Sequence, residues 1–132
     1  MNTLTPLRYP GGKTKLFKKV SSIIEYNNLQ GCTYVEPFVG GAGLAIKLLD
    51  ENLVNKLIIN DFDYHIYAFW YCVLNHPNEL VELIVNTQVT LEEREIQKEI
   101  YINSENYNIL DVGFSTLYLN RTNRSEIGRA HV

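Results

Sequence analysis

Several broad classes are excluded by what this sequence has little of. There are two cysteines, Cys32 and Cys72, in neither a CxxC nor any metal-ligand spacing. That argues against a disulfide framework or a cysteine-held metal, and predicts two reduced, partly buried thiols of a cytosolic protein. No apolar run approaches the ~20 residues that a membrane-spanning helix needs. The opening Met-Asn-Thr-Leu-Thr-Pro has neither the charged nor the apolar region of a secretory leader. Prolines number four, at Pro6, Pro10, Pro37 and Pro77, with no two adjacent, and there is no repeat or low-complexity tract. With 45% hydrophobic and 20% charged residues in 132 positions, the composition is that of one soluble globular domain.

Charge is unevenly placed. The formal net charge is −3, yet residues 1–24 hold five basic groups (Arg8, Lys13, Lys15, Lys18, Lys19) and no acid. Residues 25–120 hold four basic and fourteen acidic groups. A basic entry segment on an acidic body suits contact with a polyanion or carboxylate at one end, or a solvated lysine face on the first helix.

The chain is organised around Thr33 to Gly43, Thr-Tyr-Val-Glu-Pro-Phe-Val-Gly-Gly-Ala-Gly. β-formers lead into an acid and a proline, then glycines, then the helical pattern Leu44, Ala45, Ile46, Leu48, Leu49. Strand, glycine turn, helix is how an α/β nucleotide-binding unit opens. A second strand, Leu57-Ile58-Ile59, ends at Asn60-Asp61. Asp61 lies ~20 residues beyond the glycines, where such units place a carboxylate for ribose hydroxyls. The bland alternative is an ordinary strand–turn–helix with an incidental acid.

Upstream, Pro10-Gly11-Gly12-Lys13 reads as a loop before a helix that starts near Lys15, and its amides and ammonium suit an anion. Gly12-Lys13-Thr14 is not the end of a P-loop, because Leu7 stands where that motif needs glycine. A dehydrogenase fingerprint fails too, since Ile46 follows Gly43 at the position of its last glycine. Downstream, Ile66, Tyr67, Phe69, Trp70, Val73 and Leu74 form a broad core-facing helical stripe. Pro77 opens another helix, Thr90-Leu91-Glu92-Glu93 has the spacing of a capping box, and Ser104 to Asn108 is a polar linker. Ile109 to Leu119 has helical spacing despite Gly113.

Together, Arg8-Tyr9-Pro10-Gly11-Gly12-Lys13, Glu36-Pro37-Phe38-Val39-Gly40-Gly41 and Asn60-Asp61 resemble the opening of Dam-type (class α) DNA adenine-N6 methyltransferases, in which the cofactor motifs come first. Phe114-Ser115-Thr116-Leu117-Tyr118-Leu119-Asn120-Arg121 is similar to the stretch introducing their target-recognition region. The resemblance implies an α/β, Rossmann-like S-adenosylmethionine-dependent methyltransferase fold, present as its N-terminal part. It implies S-adenosylmethionine as cofactor. Lys13 would pair with the methionine carboxylate and Tyr9 would lie beside the methionine arm. Gly40 would allow close approach, Phe38 would pack near the adenine, and Asp61 would bond the ribose. Tyr9 as a loop anchor and Phe38 as core remain the simpler alternatives. The substrate implied is duplex DNA, acted on in the cytoplasm by a full-length enzyme that is monomeric and serves restriction–modification or DNA marking.

The sequence departs from the family where the chemistry is done. Transfer to adenine N6 relies on an Asp-Pro-Pro-Tyr-like loop that holds the amino group and stacks on the flipped base. With no adjacent prolines, that loop is absent, so no catalytic residue is assigned in this chain and no methyl transfer is expected from it alone. Residues 1–126 are expected to be the cofactor-binding part running into the start of target recognition. Residues 127–132, Ile-Gly-Arg-Ala-His-Val, look like a translated sequencing-adapter tail, the competing reading being a natural frameshift or a decayed gene. The alternative function is a non-catalytic nucleotide-binding or interaction fragment with the same fold.

Overall fold

The computed structural model describes residues 4–8 and 16–123 of the chain. The segment Tyr9 to Lys15 and the proposed tail 127–132 lie outside the described residues. The chain divides into two compact units, Met1–Phe62 and Asp63–Val132. Among the described residues there are six α-helices and two strands, a mixed α/β arrangement.

In the first unit, α1 (Phe17–Tyr26) leads to β1 (Cys32–Glu36), α2 (Gly43–Asp50) and β2 (Val54–Ile59). The strands pair in parallel, which requires a crossover, and α2 supplies it. Alternation along the strands decides which face is covered. Ile24, Leu44, Leu48 and Val54 are buried together, with Phe17, Val20, Cys32, Tyr34 and Leu57 packed on them. Tyr34 and Leu57 are register partners on that covered side. The next pair, Val35 and Ile58, points the other way and stays 58% and 48% exposed.

In the second unit come α3 (Tyr64–Asn75), α4 (Pro77–Asn86), α5 (Leu91–Ile102), a short 3₁₀ turn (Ser104–Asn106) and α6 (Ile109–Thr122). Pro77 is the first residue of α4, as its fixed φ and missing N–H favour. Thr90 caps α5 by accepting from the Glu93 amide at 3.0 Å. The reciprocal half of a capping box is not what Glu93 makes, because its carboxylate takes a bond from Gln97 Nε2 at 2.8 Å. Asp63 and Asn108 cap α3 and α6 in the same way as Thr90, at 2.9 and 2.8 Å. His65 ties the start of α3 to the end of α5: Nε2 lies 2.8 Å from the Tyr101 carbonyl and the rings stack at 3.8 Å. Burial and the nearby Asp63 carboxylate push the Tyr101 hydroxyl up from its ordinary value.

Helix α3 buries a different stripe from the one its apolar residues predict. Ile66, Phe69 and Trp70 are buried, but so are Ala68 and Cys72, while Tyr67 and Leu74 are exposed. The reason is Gly113 on α6. A Cβ there would stand 2.8 Å from the Ala68 carbonyl oxygen and 2.7 Å from Cys72 Sγ. The two helices thus cross where their smallest side chains meet, and α3 turns that side inward. Gly113 is a packing residue rather than a weak point in the helix. Phe114 to Leu119 are all buried, and Tyr118 donates to the Gln88 carbonyl at 3.2 Å. From α5, Arg94 forks onto the end of α6, with Nη1 3.2 Å from Thr122 Oγ1 and Nη2 2.9 Å from Asn123 Oδ1.

Candidate functional site

The register Glu36↔Ile59 sets the C-terminal ends of β1 and β2 side by side. Backbone pairing continues past the strands: Asn60 donates to the Glu36 carbonyl and Val39 donates to the Asn60 carbonyl, each at 2.9 Å. The Asn60 side chain reaches the Pro37 carbonyl at 3.4 Å. This ladder places the glycine turn directly over the end of β2, where Asp61 follows. The Gly40 amide donates to Asp61 Oδ2 at 2.8 Å, so the carboxylate holds the turn.

Within the turn, Gly40 has φ +53°, which a glycine adopts without steric cost. The second left-handed residue is Ala42, at φ +61°, and neither Gly41 nor Gly43. The Ala42 amide closes a tight bend onto the Val39 carbonyl at 2.8 Å, and Val39 to Ala42 are all buried. Helix α2 starts at Gly43 with no side-chain cap, so its first amides have no intrahelical acceptor and lie at the turn.

Two further contacts shape the site and were not anticipated from the sequence. Tyr34 donates to Glu36 Oε1 at 3.0 Å. Burial first, then the bond to Glu36 and its charge, push the Tyr34 hydroxyl up to about 12. The period of a strand puts residues 34 and 36 on one face, so this pair was legible in principle. The other is Thr5, whose hydroxyl donates to the Gly41 carbonyl and accepts from the Leu7 amide at 3.3 Å. Leu7 is buried at 2% exposure. Nothing in the sequence marks Thr5, because its partner is thirty-six positions away.

Of the five residues expected at a cofactor, the structure brings Gly40 and Asp61 together. Phe38 belongs to the same turn and is 66% exposed, so it is not a core residue. Tyr9 and Lys13 lie outside the described residues. Among the described residues no cluster of His, Cys, Asp and Glu could hold a metal ion, and no helix is long and apolar enough to cross a membrane.

A family model described as D12 class N6 adenine-specific DNA methyltransferase matches residues 9–130. The chain belongs to this family. Among curated proteins it is 30% identical over 97 residues to the type II methyltransferase M1.LlaDCHI of Lactococcus lactis subsp. cremoris. That alignment covers 72% of this chain and 29% of the relative. It is 29% identical over 100 residues to the type II methyltransferase M.MjaIII of Methanocaldococcus jannaschii, covering 72% and 34%. The chain therefore spans about a third of the length of these relatives. The D12 match begins at Tyr9 and takes in both Asp61 and the glycine turn that it holds.

Proposed function

We propose that this chain is the S-adenosylmethionine-binding part of a DNA adenine-N6 methyltransferase, with the cofactor seated at the ends of β1 and β2. The observation that carries the reading is the bond from the Gly40 amide to Asp61 Oδ2. It fixes an acid beside a buried glycine turn at the head of a helix, the donor and acceptor set that a nucleoside with a charged amino-acid arm requires. A carboxylate offers about four lone-pair sites, so accepting from Gly40 is compatible with accepting from ribose hydroxyls as well. Gly40 lets the ligand approach the backbone, and the exposed ring of Phe38 suits the adenine. Lys13 would bind the methionine carboxylate by a charge-assisted bond, with Tyr9 beside the sulfonium arm.

The strand–helix–strand unit with helices on one face is the beginning of a Rossmann-like sheet, and residues 1–126 form the cofactor part leading into target recognition. The bound cofactor supplies an electrophilic methyl group. This chain's residues hold and orient it. The groups that would accept hydrogen bonds from the adenine amino nitrogen, whose lone pair is delocalised into the ring, belong to the absent Asp-Pro-Pro-Tyr-like loop. For the whole protein we propose duplex DNA as substrate, in a cytoplasmic type II restriction–modification system.

Titration calorimetry with S-adenosylmethionine, run beside a labelled methyl-transfer assay on mixed-sequence duplex DNA, tests this. Saturable binding that Lys13→Ala and Asp61→Ala each weaken is expected, with no methyl transfer by the chain alone. Binding indifferent to both substitutions would overturn the site, and transfer by the chain alone would show catalytic groups outside those assigned.

A further inference from the structure

Helix α5 is attached by its polar side. Among the six α-helices of the described residues, it alone fully buries no apolar side chain, and the residue it does bury is Gln97. Its ties to neighbouring helices are hydrogen bonds and a ring stack. Arg94 forks onto Thr122 and Asn123 at the end of α6, and the Tyr101 carbonyl and ring meet His65 at the start of α3. Leu91, Ile96 and Ile102, the kind of residue a docked helix turns inward, are all exposed. Gln97 itself is only half satisfied. Its Nε2 donates to Glu93 Oε2 at 2.8 Å, while Oε1 is buried with no partner among the described residues.

Such an attachment is cheap to undo. A hydrogen bond broken between helices is replaced by one to water, so little net stability goes with it. Apolar contacts have no such replacement, and the exposed Leu91, Ile96 and Ile102 have few to lose. A buried carboxamide oxygen without a donor gains one from solvent when its helix leaves. The crossing of α3 and α6 is of the opposite kind, since Gly113 lies against Ala68 and Cys72, all of them buried. We infer that α5 is a detachable helix, which opens from α3 and α6 while those two stay packed on each other. Because Arg94 leaves with it, the opening also releases the end of α6. Every group involved lies between Asp63 and Asn123, so the inference stands apart from the cofactor reading.

The test is native-state hydrogen exchange on the intact chain at rising, sub-denaturing urea, read at the mid-helix amides of α5, α3 and α6. The α5 amides are expected to exchange faster than those of α3 and α6, through an opening that exposes less surface and so depends less on urea. Gln97→Met keeps the side-chain length and helix propensity and removes the amide, while the partly exposed Glu93 carboxylate can turn to water. It is expected to slow α5 exchange about fivefold, by removing the unsatisfied oxygen, and to leave α3 unchanged. Ile96→Ser, at an exposed position and of similar propensity, should stay within about twofold of the parent. Exchange of α5 with the same rate and urea dependence as α6 would overturn the inference whatever the variants do. So would faster α5 exchange in Gln97→Met, which would show the amide to be well held, or a tenfold effect of Ile96→Ser, which would show an apolar seat for α5.

Discussion

The Gly40 amide and the Asp61 carboxylate, twenty-one positions apart in the chain, meet at 2.8 Å. The bond joins the turn after β1 to the end of β2, and it orients the carboxylate. If Asp61 also takes the ribose hydroxyls as proposed, it holds both the turn and the ligand, and removing it loses both.

Asp61→Ala is accordingly expected to weaken S-adenosylmethionine binding by ~1–3 kcal/mol, the usual cost of losing charge-assisted hydrogen bonds. The same variant should speed exchange of the Gly40 amide. Asp61→Asn, which keeps an acceptor oxygen, should fall between the two. Calorimetry and amide exchange on the three proteins check this, and equal affinity in all three would remove Asp61 from the site.

Gly113→Ala should destabilise the second unit, although alanine is the better helix former by ~0.5–1 kcal/mol. The added methyl meets the Ala68 carbonyl and Cys72 Sγ below 3 Å. Overpacking of this kind costs ~1–3 kcal/mol. Chemical denaturation gives the net effect. Adding Cys72→Ala should restore only part of the loss, because the Ala68 backbone oxygen remains in place.

Cys72 is buried, donates to the Ile109 carbonyl at 3.3 Å, and has its thiol pushed up from 9.0 to about 11, by burial first and by Asp111 second. A raised thiol pKa favours the native state at pH values below 9, and the contribution is lost as pH rises through about 11. Stability should therefore fall across that window, and less so in Cys72→Ala. At neutral pH a thiol reagent should label the half-buried Cys32 well before Cys72, and label both at once in denaturant.

Arg94→Ala should fray the end of α6, since it removes both bonds to Thr122 and Asn123. Arg94→Lys can replace one bond but not the fork, and should recover part of the effect. Faster exchange of the Asn123 amide, which bonds the Leu119 carbonyl at 3.2 Å, with unchanged exchange in the middle of α6 is the expected pattern.

The sequence by itself determined what neighbouring residues control. A proline sets its own φ, so Pro77 starts α4; a threonine hydroxyl reaches an amide three residues on, so Thr90 starts α5. Strand, glycines, helix, strand and a terminal acid could be read in order because each follows from local periodicity and backbone freedom. Family membership was legible for the same reason, through short motifs in a fixed order. Tertiary structure decided the rest. The inward side of α3 was set by α6 and Gly113, so Ala68 and Cys72 displaced Tyr67 and Leu74 from the core against the apolar pattern. The second left-handed position in the turn fell on Ala42, where closure onto Val39 outweighs the steric cost to a Cβ. Thr5 joined the site through a partner far along the chain. A hydrogen bond between distant residues leaves no periodic trace in sequence, because only the folded backbone brings donor and acceptor within reach.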